Sequence, residues 1–286
     1  MSAGDLPQPI EETQIAIERE DLLIEVGAKR ADVRATLRLA NRGDDAKITV
    51  GFPCDTTEYA GAHGLECKTR ITVIADGKPL AVKLKKAGAK GKHWIWPMRF
   101  SAGQTVTLDV RYRTRLINDR YSTPVRGMGT LYYRLATGAN WAGPIEELNM
   151  EVRLPTDVIV HVAPTGGRRD VGRITWKLTS YEPNEDLAIL FDPTRLGRYA
   201  KVLGDRVDSY AALKKAVAGG AFSAAELQGM AKDFRDALPE HLQWAEFFQG
   251  VARAKLGLPA PKPDEIRTCV EESAKIMEAI AKKGNK

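Results

Sequence analysis

Histidine, cysteine and long apolar runs are all scarce in this chain of 286 residues. The four histidines, His63, His93, His161 and His241, stand far apart. Neither H-E-x-x-H nor C-x-x-C occurs, so zinc chemistry lacks its usual spacing. No G-x-x-x-x-G-K-[ST] run offers a phosphate loop, and no G-x-S-x-G run offers a nucleophile elbow. Thr165-Gly166-Gly167-Arg168-Arg169 reads instead as a hairpin connection. No metal, cofactor or catalytic residue is therefore expected. No stretch approaches the ~18–20 consecutive apolar residues of a membrane helix. No charged n-region followed by an apolar h-region opens the chain.

The three cysteines are Cys54, Cys67 and Cys269. Cys54 and Cys67 bracket one turn-rich loop, CDTTEYAGAHGLEC. A bridge there would close a loop of about a dozen residues, worth about 3 kcal/mol on the chain-entropy model. It would need an oxidising compartment. The alternative is two unrelated reduced thiols. Cys269 falls within a helical pattern and reads as a small buried hydrophobe.

What is present fits a globular protein. The chain is 43% hydrophobic and 28% charged, which excludes wholesale disorder. Its length predicts about two domains. A net charge of +6 and a pI near 9.1 mildly favour anionic partners such as nucleic acid, anionic lipid or cell-wall polymer. The plainer reading is a solvated, slightly basic surface.

Residues 1–12 read as a polar tail. From Thr13 to Glu20 and from Asp21 to Gly27 two runs alternate apolar and polar, with Ile15 and Ile17 inward in the first and Leu22, Ile24 and Val26 inward in the second. Ala31 to Ala40 repeats this with Val33, Ala35, Leu37 and Leu39 inward. Lys47 to Phe52 is a strand ended by Pro53. Asp76-Gly77 between alternating runs is a strong hairpin signal. His93 to Phe100 and Thr105 to Thr114 follow, the latter with Val106, Leu108, Val110 and Tyr112 on one face. After a looser stretch over 117–128, strands resume at Thr130–Thr137, Glu147–Leu154, Val158–Val162, Arg173–Thr179 and Asp186–Phe191. Past Asp192 the period changes to three or four over Val207–Ala218, Ser223–Leu238, Leu242–Leu256 and Asp264–Lys282. Ser223 and Glu226 have capping-box spacing, Asp264 is an N-cap candidate, and Gly219, Gly257 and Gly284 are stop signals.

The expected fold is mainly β with an α tail: an antiparallel β-sandwich body, of one or two sheet systems, and a four-helix C-terminal region. The expected units are a sandwich over 13–117, a second β region over 118–195 possible as its continuation, and a helical domain over 205–284.

Two features suggest contact sites. The run YYRLATGANWAGPI, Tyr132 to Ile145, places Asn140 and Trp141 in a glycine-bounded loop after the strand of Tyr133. There Trp141 could stack on a sugar or peptide, or simply plug the end of the sandwich. The segment KLKKAGAKGK carries Lys83, Lys85, Lys86, Lys90 and Lys92, and reads as a solvated loop tip or as a contact for an anionic polymer.

The pattern Tyr133-x-Leu135-x-Thr137-Gly138-x-x-Trp141-x-Gly143-Pro144-Ile145 resembles one found in uncharacterised bacterial exported β-sandwich proteins. The flow from Gly51-Phe52-Pro53 through Asp76-Gly77 and Ala102-Gly103 to Val110-x-Tyr112 is similar as well. This likeness spans about residues 13–192. It implies an envelope or secreted location in a mature form lacking its signal peptide, and carries no catalytic residue across. A looser similarity, in strand order and over Trp141–Pro155, is to the all-β N-terminal domain of gluzincin aminopeptidases. Trp244 to Ala252 with Leu256-Gly257 is loosely similar to half of a tetratricopeptide repeat.

The resulting expectation is a non-enzymatic binding or scaffold protein of the bacterial envelope, periplasmic or secreted, meeting a protein partner through its C-terminal helices. The alternatives are a wall-polymer hydrolase using an unrecognised carboxylate site near Asn140 and Glu146, an anionic-polymer binder acting through the Lys83–Lys92 segment, and a cytoplasmic location.

Overall fold

A computed structural model describes residues 4–5, 7–10, 13–27, 30–55, 65–66, 69–87, 91–115, 129–155, 159–191, 210–220, 222–243 and 262–284. Cys67, Lys90, the looser stretch over 117–128, the junction at 192–205 and the repeat-like segment 244–257 lie outside these residues. The described chain is mainly β, with helices toward the C-terminus.

The strands are β1 (Gly4–Asp5), β2 (Gln8–Pro9), β3 (Ile15–Val26), β4 (Arg30–Asn41), β5 (Ala46–Asp55), β6 (Leu65–Glu66), β7 (Ile71–Ala75), β8 (Lys78–Pro79) and β9 (Lys83–Ala87). They continue with β10 (Gly91–Phe100), β11 (Thr105–Arg115), β12 (Gly129–Arg134), β13 (Ile145–Arg153), β14 (Ile159–Ala163), β15 (Arg168–Asp170), β16 (Arg173–Tyr181) and β17 (Leu187–Phe191). They form three sheets. An eight-stranded sheet has the order β15-β16-β13-β3-β4-β11-β7-β8. A five-stranded sheet has β2-β5-β10-β9, with β6 also on β5, and a four-stranded sheet has β1-β12-β17-β14. The eight-stranded sheet draws on both expected β regions, because β13 pairs in parallel with β3.

The alternation read from the sequence sets the faces. On β4, Ala31, Val33, Ala35, Leu37 and Leu39 are buried; on β11, Val106, Leu108, Val110 and Tyr112 are. Phe52 of the five-stranded sheet meets Tyr112 edge-on at 5.2 Å between ring centroids, so the two larger sheets share a core. The two runs expected over Thr13–Gly27 are one strand. A bulge between Ile17 and Arg19 shifts its phase: Ile15 and Ile17 point inward before it, and Leu22, Ile24 and Val26 after it. At the Asp76-Gly77 turn both residues have positive φ, 46° and 77°, as a tight hairpin turn between β7 and β8 requires.

The basic segment expected as a loop is instead largely strand. Lys83, Lys85 and Lys86 lie on β9, paired with β10, because every residue there can join the ladder of its neighbour. β9 is the outer edge of its sheet, and exposed lysines on an edge discourage pairing with another chain.

Among the described residues the helices are α1 (Tyr210–Ala218), α2 (Ala224–Asp236) and α3 (Pro263–Gly284), and residues 238–243 are helical too. The capping box holds: Ser223 Oγ accepts from the Glu226 N–H at 3.2 Å, and Glu226 accepts from the Ser223 N–H at 2.7 Å. The start of α3 differs from expectation. Pro263 is its first residue, since a missing N–H is tolerated there, and Asp264 lies in the first turn rather than at the cap.

A second core joins this tail to the sheets. Val160 and Leu190 of the four-stranded sheet pack with Ala231 and Phe234 of α2 and with Ile266, Val270, Ala274 and Met277 of α3. Polar groups lock the seam. Ser273 Oγ donates to the Ile159 carbonyl at 3.0 Å and accepts from the Ile159 N–H at 3.3 Å. Half-buried Arg169 of β15 donates to Ser273 Oγ at 2.6 Å and to the Cys269 carbonyl at 3.0 Å. His161 sits beside this seam with Glu265 3.9 Å from its Nδ1. Burial holds the imidazole below its usual range, against the opposing pull of Glu265.

Candidate functional site

The outward face of the eight-stranded sheet carries the candidate site. The same alternation that buries Val33, Leu37, Val110 and Tyr112 turns Asp32, Arg34, Asp109, Arg111 and Arg113 to the other side. Register then aligns them. Arg111 stands opposite Arg34, which stands opposite Leu23; on its other side Arg111 faces Thr72. One step along, Arg113 faces Asp32 and Asp32 faces Glu25. Asp32, Arg34, Arg111 and Arg113, together with Leu23, Glu25, Thr72 and Arg70 just before β7, line an open groove of about 510 Å³. That is within the usual range for a small-molecule site.

Like charges directly opposite on neighbouring strands repel. The Arg34–Arg111 pair is tolerated because Asp109 lies between the two. Asp109 accepts from Arg34 Nη2 at 2.8 Å, and from Arg111 Nε at 2.6 Å and Nη2 at 2.8 Å. Partial burial alone would push its carboxyl up, but these hydrogen bonds outweigh that and hold it below the usual carboxylate range. Asp32 accepts from Arg113 at 2.5 and 3.1 Å. Glu25 is turned away, to Arg153 at 2.9 Å. Arg70 makes no hydrogen bond or ion pair with any described residue. The groove is therefore lined by four guanidiniums, Arg34, Arg70, Arg111 and Arg113, and two carboxylates, Glu25 and Asp32, with Asp109 beneath Arg34 and Arg111. Such a wall can hold an anion. Among the described residues no group of three or more His, Cys, Asp and Glu could hold a metal ion.

The structure scatters the residues singled out from the sequence. Tyr133 is fully buried on β12, opposite Leu187. Trp141 is 4% exposed and donates from Nε1 to the Pro7 carbonyl at 2.9 Å. Its ring faces the core, so the stacking reading gives way to the plug: a large indole is better placed against apolar side chains once its one donor is satisfied. Asn140 ends the short 3-10 turn Ala136–Asn140 and is exposed. Glu146 is paired with Arg42 at the surface. Lys83, Lys85, Lys86 and Lys92 sit on the five-stranded sheet, apart from the groove. Cys54 is disulfide-bonded and Cys269 is free.

One residue was missed. Glu20 is fully buried, and neither carboxyl oxygen has a hydrogen-bond partner. It lies on β3 between Leu37 and Leu148, both fully buried. Burial, with Asp21 adding to it, pushes its carboxyl up to about 8. The signal was in the sequence: the inward series Val26, Ile24, Leu22, counted back by two, lands on Glu20.

Comparison with known proteins gives a fold likeness and no family. No family model matches the chain, and no curated protein matches its sequence. A crystal structure from Legionella pneumophila, of a proposed nutrient binding protein, is similar over 98% of this chain and 97% of that one, with a TM-score of 0.57 and 18% identity. Yeast LTA4 hydrolase matches 63% of this chain and 29% of its own, at a TM-score of 0.37 and 13% identity. An M1 zinc metallopeptidase from Deinococcus radiodurans matches 63% and 42%, at 0.34 and 15%. Scores at that level carry nothing about this chain. No helix among the described residues is long and apolar enough to cross a membrane.

Proposed function

We propose that this chain is a non-enzymatic binding protein of the bacterial cell envelope, and that the outer-face groove is its binding surface. The observation that carries the reading is the groove, a shallow, open surface lined by charged groups from β3, β4 and β11 and from Arg70 beside β7. The end-to-end likeness to a proposed nutrient binding protein supports it at the level of fold. The disulfide at Cys54 supports an oxidising compartment, and hence the periplasm or a secreted state. The likeness of the Tyr133–Ile145 pattern to exported proteins points the same way. On this reading the two larger sheets form a sandwich, supported by the Phe52–Tyr112 contact, and the helices form a C-terminal region closing one end. The inner faces of α2 and α3 are occupied by the sheets and by each other, so a protein partner would meet their outer faces.

The experiment is a thermal-shift screen of the purified chain against a panel of small metabolites, with hydrogen-exchange mapping of any hit. Protection of β4, β7 and β11 is expected. Ligands that all map elsewhere, or turnover of a panel member, would overturn the reading. Fractionation of the native host tests the location, with the chain expected in the periplasmic or secreted fraction.

A further inference from the structure

Resting on that reading, we propose that the groove takes a small polyanion: a metabolite bearing two or more phosphate or carboxylate groups, seated against Arg34, Arg70 and Arg111. Three observations carry this. First, the charge within the groove is uneven. Arg113 is matched by Asp32, whereas Arg34 and Arg111 share one Asp109, and Arg70 has no partner among the described residues. Second, the guanidiniums are held in place. Asp109 is mostly buried beneath them and takes Nε and Nη2 of both Arg34 and Arg111. Each arginine is thereby oriented while its remaining N–H groups stay available for bidentate recognition of an anion. Thr72 and Leu23 flank the pair, giving a hydroxyl on one side and an apolar wall on the other.

Third, the rest of the face argues against a long polymer. Beyond Leu23 the same surface presents Asp21, Glu147 and Glu151, which pair with Arg19 and Arg153 along the strands. An extended polyanion crossing the sheet would run over these carboxylates. A compact ligand confined to the β4–β11–β7 side would not. The exposed lysines of β9 lie on a different sheet and are not needed for this binding.

The test is isothermal titration of the whole chain at low ionic strength with pyrophosphate and with citrate, which separate the phosphate and carboxylate sources, and with heparin as a polymer. Saturable one-to-one binding of at least one small probe is expected, weakened about tenfold in R70A, the loss equivalent to one charge-assisted hydrogen bond. Arg70 is exposed and makes no hydrogen bond or ion pair with a described residue, so R70A should fold normally; matching melting curves check this. K177A, on the far side of the same face, should bind as the parent does. The anion class is overturned if neither small probe binds, if R70A and R34A bind as tightly as the parent, if K177A loses as much as R70A, or if heparin alone binds. A neutral ligand found in the metabolite screen and protecting β4 and β11 would overturn the anion class and leave the groove as the binding surface. An anion bound elsewhere would overturn both.

Discussion

Replacing Glu20 should make the protein more stable, and by an amount that depends on pH. In the unfolded chain the carboxyl ionises at its ordinary value of 4.5; in the fold it does so at about 8. The folded state therefore binds the proton more tightly than the unfolded state. Stability is greatest below about pH 4.5, falls as pH rises through the window between the two values, and levels off above about 8. One pH unit inside that window is worth about 1.4 kcal/mol, so the accumulated cost is about 3 kcal/mol at pH 7 and about 5 kcal/mol at pH 9. Glu20→Gln keeps the shape and removes the charge. Its stability relative to the parent should be near zero at pH 4, about 3 kcal/mol in its favour at pH 7 and about 5 kcal/mol at pH 9. Glu20→Leu should gain further at every pH, because Leu37 and Leu148 already surround the position with apolar groups. Urea unfolding of parent and variants across pH 4–9 measures the differences. Parallel curves for parent and Glu20→Gln would refute the reasoning, since they would mean that the carboxyl ionises alike in both states.

Three further outcomes follow from particular contacts. Trp141→Phe removes the donor to the Pro7 carbonyl and leaves a gap in the core, which should cost about 2–3 kcal/mol in urea unfolding and make the first ten residues easier to cleave by protease. Ser273→Ala removes three hydrogen bonds at the seam between β14 and α3, and should cost about 2–3 kcal/mol while leaving the far-UV spectrum unchanged. Gly167→Ala would place a methyl 2.5 Å from Trp176 Cε2, so the loop or the indole must shift, at about 1–3 kcal/mol and with a changed tryptophan emission.

What was legible in the sequence was local. Alternation gave the inward residues of β4 and β11, Asp76-Gly77 gave its turn, and Ser223 with Glu226 gave the start of α2. The change of phase between Ile17 and Leu22 marks a bulge and the inward turn of Glu20, and in the sequence alone it looks the same as a break between two strands. The groove was hidden for a different reason. Arg34 and Arg111 each look like an ordinary outward residue of an amphipathic strand, and only the pairing of strands 75 residues apart in the chain puts Asp109 between them. The lysine-rich segment misled because composition marks exposure, and an edge strand is as exposed as a loop. Trp141 had two consistent readings, stacking surface or plug, and local pattern holds no information on which side of a turn an indole falls.

The parallel pairing of β3 with β13 carries a consequence for how the protein is made. Ile24 must wait for Val152, and every residue between them has to leave the ribosome first. At ~5–20 residues per second this interval is on the order of ten seconds. Throughout it, β3 has one strand neighbour, β4, where the finished protein gives it two. A nascent chain in that state exposes an unpaired edge rich in Leu and Ile, which is the kind of surface that holdase chaperones grip. Slowing synthesis across residues 27–145 should lengthen that exposure and raise the aggregated fraction, even though the finished fold is untouched.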